Sequence, residues 1–172
     1  MGNGTKKLYI LLVLFFWCLA ATGSMVSSVL AAEEGAFTGT MVANGSKDVL
    51  ALGSERETAL FKISGHVKLN NKIGKESSYW SECIGLADSV TGSDIRCVWR
   101  SLDGYEIYLT MKGKRMEKGS SITGSIIGGT GPATGITGTL QFTWSMMSFK
   151  QADSETGISG FSKDVSGTYK LP

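Results

Sequence analysis

The chain reads as an all-β protein, a single closed antiparallel barrel of about eight strands. Three observations lead there. Apolar and polar residues alternate with period two through most of the sequence after residue 35. The breaks between alternating runs carry turn residues: Asn44-Gly45, Asn70-Asn71, Thr91-Gly92, Asp103-Gly104 and Lys118-Gly119. Helical periodicity is nearly absent, and 23 glycines against 2 prolines suit long, twisted, meandering strands. With no helices to cover so many one-faced strands, closure into a barrel is the economical way to bury them and remove exposed edges.

The N-terminus is read separately. Lys6 and Lys7 precede an unbroken apolar stretch from Leu8 to Ala21, followed by small residues ending in Val29-Leu30-Ala31-Ala32. A charged start, a short apolar core and a small-residue end describe a secretory signal peptide. The apolar run, about 14 residues, is short of the roughly 20 that a membrane-spanning helix needs. Cleavage is expected after Ala31 or Ala32, which divides the chain into a leader, residues 1–31, and one domain, residues 32–172. The domain is expected to be secreted or periplasmic, with no stable membrane insertion once the leader is gone. Cys18 is discarded with the leader.

Strands are predicted over Ala36–Ala43, Ala59–Asn70, Tyr79–Val90, Asp94–Ser101, Tyr105–Lys112, Ser121–Ile127, Ile136–Phe149 and Ile158–Leu171, the last breaking near Ser162–Asp164. Ser46–Glu57, with Val49, Leu50 and Leu52, is the one helical candidate. Alternation also assigns faces. Tyr105, Ile107, Leu109 and Met111 share one side, which should point inward. Phe61, Ile63, Val67 and Leu69 oppose Lys62, Ser64, His66 and Lys68 in the same way, and Leu140, Phe142, Trp144 and Met146 oppose a threonine-rich side.

Between the sixth and seventh strands lies G-G-T-G-P-A-T-G-I-T-G, Gly128 to Gly138, with no charged residue. Gly128, Gly129, Gly131, Gly135 and Gly138 are expected to form a sharp corner, where the backbone takes φ > 0 or passes close to another strand.

Composition limits the function. The full sequence has 17 basic and 15 acidic residues, but Lys6 and Lys7 fall in the leader and every acidic residue lies at or beyond Glu33. Residues 32–172 are therefore formally neutral, with no basic run to bind nucleic acid or an anionic membrane. Lys112, Lys114, Arg115 and Lys118, interrupted by Glu117, read as a solvated hairpin tip. His66 is the only histidine, and no H-E-x-x-H, C-x-x-C or G-x-S-x-G is present, so no metal site and no cofactor are expected. The glycine run is followed by a strand and lacks the G-K-[ST] of a phosphate loop. Glu82 shares a face with Trp80, Ile84 and Leu86; a rim or outward position is preferred to a buried general acid. Cys83 and Cys97 are the only cysteines of the domain and, in an oxidising compartment, are expected to form a disulfide.

Several segments resemble a known family. The G-G-T-G corner, E-C-I-G-L-A-D-S at Glu82–Ser89, R-C-V-W-R-S-L-D-G-Y at Arg96–Tyr105, F-T-W-S at Phe142–Ser145 and the final G-T-Y-K-L-P are similar to small secreted bacterial proteins of the allene oxide cyclase and dirigent barrel superfamily. Pro132-Ala133-Thr134 stands where that pattern usually carries an aromatic. The resemblance implies a calycin-like barrel and carries over no catalytic position. Three function classes follow: an exported barrel holding a small apolar ligand, an isomerase or cyclase like the plant members, or a structural or interaction protein of the cell envelope. For the first, Trp99, Tyr105, Trp144 and Met146 are the candidate ligand-binding residues, all on predicted inward faces near strand ends.

Overall fold

A computed structural model describes residues 32–71, 76–150 and 156–172; the expected leader, residues 1–31, lies outside the described residues. Eight strands follow one another: β1 (Glu34–Ala51), β2 (Glu57–Asn71), β3 (Glu76–Asp88), β4 (Gly92–Ser101), β5 (Glu106–Arg115), β6 (Ser120–Gly129), β7 (Thr137–Lys150) and β8 (Thr156–Lys170). Each pairs antiparallel with its sequence neighbours, and β8 pairs back onto β1 to close the barrel. A single 3-10 turn, Gly131–Ala133, joins β6 to β7. The expected closed antiparallel barrel is therefore the observed one.

Two readings of the β1 region are corrected. Asn44-Gly45 is not a turn, and Ser46–Ala51 is not helical, because β1 continues unbroken to Ala51 and only then turns through Gly53. Val49, Leu50 and Leu52 are exposed, so a helical apolar stripe would have had nothing to cover. The extended chain instead satisfies its backbone on both sides, with Asp48 opposite Leu60 and Ser46 opposite Gly157. Gly45 makes this continuation possible. A Cβ there would lie 1.9 Å from the Lys62 carbonyl oxygen, so only glycine lets β1 and β2 stay this close as they coil.

The faces follow the alternation. Ile107, Leu109 and Met111 are buried, as are Val67 and Leu69, while Phe61 and Ile63 pack against the core from partly buried positions. On β3 it is Tyr79, Ser81 and Cys83 that are buried, which puts Trp80, Glu82, Ile84 and Leu86 on the outside. β8 is interrupted near the expected place. The β7 register runs to Gln141 opposite Ser166 and resumes at Ser145 opposite Phe161, and β1 shifts at Gly39 and Met41. The Asp164 carboxylate fills this bulge, accepting the Thr143 N–H at 2.9 Å and the Ser162 hydroxyl at 2.8 Å.

Cys83 and Cys97 stand directly opposite each other on β3 and β4 and are joined as a disulfide, with Cα atoms 4.2 Å apart. Both are buried, so the bond ties two adjacent strands together on the core side of the barrel.

Candidate functional site

Strand register divides the interior into two halves. At one end lie the chain termini described, the β4–β5 turn and the glycine corner; at the other lie the β1–β2, β3–β4 and β5–β6 turns.

The first end is packed shut. Trp99 is 1% exposed, and the Tyr79 ring lies 6.1 Å from it and 6.2 Å from Tyr105. The Tyr79 and Tyr105 hydroxyls share a hydrogen bond of 3.1 Å. Burial, and then this bond, push the Tyr79 phenol well above its ordinary value, so it stays neutral. The corner seals the same end. Gly128 and Gly129 finish β6, with a bulge opposite Tyr108 and Leu109. Gly131 takes φ 56° at the start of the 3-10 turn and Gly135 φ 77° after it, while Gly138 lies within β7 against β8. Ala133 and Ile136, between them, are buried against the core.

The other half is hollow. A cavity of about 440 Å³ opens between the turns, walled by Met41, Phe61, Ile63, Ile95, Met111 and Ile122, with Cys83 of the disulfide reaching it from β3. One ring of residues explains the opening: Ala59 faces Ala87, Ala87 faces Ser93, and Ser93 faces Gly113 across β2 to β5. Three small side chains and a glycine in a row leave the space that Tyr79, Trp99 and Ile107 fill at the opposite end. Sequence reasoning did not single out these four. The available signal was small residues on inward positions close to turns.

The rim is polar and carries both signs, with Lys47 and Arg115 beside Glu57, Asp88 and Glu117. Asp88 is fixed there by Arg56, whose Nη2 donates at 2.8 Å, and by the backbone N–H groups of Val90 and Thr91. The Arg56 hydrogen bond, followed by those backbone donors, holds the carboxyl well below the usual range.

The four candidate ligand residues are thus not brought together. Trp144 and Met146 line the open cavity, Met146 remaining 48% exposed at its mouth, whereas Trp99 and Tyr105 belong to the closed end. Among the described residues no group of three or more His, Cys, Asp or Glu side chains is placed to hold a metal ion. No helix of the described residues is long and apolar enough to cross a membrane. The fold and site define a closed eight-stranded β-barrel with a cross-strand disulfide and one open-ended apolar cavity. No family model, curated protein or solved structure matches the chain.

Proposed function

We infer that residues 32–172 act as an exported binding barrel that takes one small apolar molecule through the mouth beside Trp144. The observation that carries this reading is the cavity itself: about 440 Å³, mainly apolar on its walls, with its charged groups at the rim. Pockets for small molecules are commonly about 300–1,000 Å³, with apolar linings and a few polar groups that orient the ligand. Export is supported by the leader-like N-terminus and by the disulfide, a bond that persists in oxidising compartments. The similarity of the corner and paired-cysteine segments to the allene oxide cyclase and dirigent superfamily supports the same barrel reading.

The test is binding of N-phenyl-1-naphthylamine, a neutral apolar fluorophore, together with mass spectrometry of whatever small molecule co-purifies with native protein. Wild type is expected to saturate at one probe per chain. Ala87→Trp, which fills the ring of small residues, is expected to weaken binding at least tenfold without lowering the melting temperature. Absence of saturable binding by wild type overturns the reading. Chemical conversion of a recovered molecule by the protein would move it to the isomerase class.

A further inference from the structure

The outer face of the barrel carries a trough that crosses the strands instead of following them. Four outward side chains stand in one row: Phe161 opposite Val42, Val42 opposite His66, and His66 opposite Trp80, on β8, β1, β2 and β3. The His66 and Trp80 rings meet edge to face at 4.9 Å. Although they are large and apolar, Trp80 and Phe161 remain 41% and 42% exposed. The next row, two residues along each strand, is short and polar: Ser159 opposite Asn44, and Asn44 opposite Ser64. Between the tall row and the short row runs a groove of about 480 Å³, bounded on β7 by Met147. From β7 to β3 it spans about 19 Å, at roughly 4.8 Å per strand spacing.

At the β3 end the trough meets a fixed polar cluster. Arg100, directly opposite Trp80, is held between Glu82 and Glu106, and the Tyr108 hydroxyl donates to Glu106 at 2.9 Å. These planar groups are held in place by one another, which lowers the entropy lost when they hydrogen-bond a ligand.

The occupant is narrowed by what the surface offers. A peptide that binds by adding a strand needs a free backbone edge, and a closed barrel has none. A nucleic acid needs a run of cations along its path, whereas no lysine or arginine lines the groove and the nearest arginine is neutralised by two carboxylates. A hydrocarbon chain would bury the hydroxyl and amide row without hydrogen-bond partners, which is unfavourable. A ligand apolar on one side, rich in hydroxyls on the other and repetitive along its length satisfies both rows. We propose that this trough binds a neutral oligosaccharide chain. The C–H face of a sugar ring packs on Trp80, and its hydroxyls pair with Asn44, Ser64 and Ser159. The Lys163 ammonium already lies 5.5 Å over the Phe161 ring, so Trp80 is the principal platform. The groove shares only Met146 with the lining of the interior cavity, and none of the rows argued here belongs to that cavity, so its test is read independently of the reading given to the interior.

Native affinity electrophoresis tests the proposal, with gels containing hydroxyethylcellulose, laminarin or galactomannan as three neutral probes. Wild type should be retarded by at least one of them. Trp80→Ala and Asn44→Leu should each reduce the apparent affinity at least tenfold, while Thr123→Ala, on the outward face of β6, should not. Trp80 is exposed, so the same variants should melt within a few degrees of wild type, which separates loss of binding from loss of fold. Three results overturn the proposal: no retardation by any of the three polysaccharides; equal retardation of Trp80→Ala and wild type; or a light-scattering dimer of the wild type that becomes a monomer in Trp80→Ala, which would make this face a contact between copies of the chain.

Discussion

Gly138 separates close backbone approach from backbone conformation as the reason for the glycine-rich corner, and the two give different magnitudes. It is the second residue of β7, opposite Tyr169. A Cβ at this position would lie 2.1 Å from the Thr168 carbonyl oxygen and 3.0 Å from the Tyr169 Cα, both backbone atoms of β8. No side-chain rotation relieves that contact, so β7 and β8 would have to part by roughly 1 Å. Overpacking of this kind costs about 1–3 kcal/mol. Two weakened ladder bonds add about 1 kcal/mol each. Gly138→Ala is thus expected to destabilise by about 3–5 kcal/mol, and at roughly 2–4 °C per kcal/mol the melting temperature should fall by about 6–20 °C. Gly131 is the contrasting case. Its φ of 56° is the left-handed region, while an added Cβ would meet only the Tyr105 Cβ, at 3.3 Å. Gly131→Ala should therefore cost about 1–2 kcal/mol, and Gly131→Asn less, since asparagine visits that region more readily. Thermal melts followed by far-ultraviolet circular dichroism, with the disulfide intact, give the ranking. If Gly138→Ala melts within about 2 °C of wild type, the close-approach argument for this corner fails.

Other expectations follow from the disulfide, the closed end and the N-terminus. A non-reduced digest should yield Cys83 and Cys97 peptides as one linked species, and reduction should lower stability by about 2–5 kcal/mol while leaving β structure; recovery of the two peptides unlinked would remove this staple. The folded state holds the Tyr79 proton more tightly than the unfolded chain does, because its ordinary value of 10.0 is raised by burial first and by the Tyr105 hydrogen bond second. The resulting stability is present in full below pH 10 and is lost as pH rises above it towards the raised folded value. In an alkaline titration one tyrosine should ionise only as the barrel unfolds, and Tyr79→Phe should abolish that step; reversible ionisation of every tyrosine near the ordinary value would contradict it. N-terminal sequencing of the exported protein should begin at Ala32 or Glu33, and full-length chain in the membrane fraction would reverse that reading.

Local pattern was enough for the class of fold and most of its faces. Period-two alternation over Tyr105–Met111 and Phe61–Leu69 states which side of a strand is inward, because a strand has only two sides and burial selects one. Two cysteines in one domain left a single intramolecular pairing, and the structure joins them. Alternation is a local signal, and it does not say which end of a barrel is filled. That depends on the summed volume of side chains that register brings to the same level from different strands. Ala59, Ala87, Ser93 and Gly113 are distant in sequence and unremarkable singly; only the tertiary register lines them up into an opening. The same register sends Trp99 and Tyr105 to the closed end and Trp144 and Met146 to the mouth. It also converts Asn44-Gly45, a turn signal in isolation, into the close approach of two long strands, because β2 and β8 supply the hydrogen bonds that a local turn would otherwise have provided. The row from Phe161 to Trp80 has the same origin. Its members are scattered over 120 residues of alternating pattern, and closure of the barrel makes them neighbours.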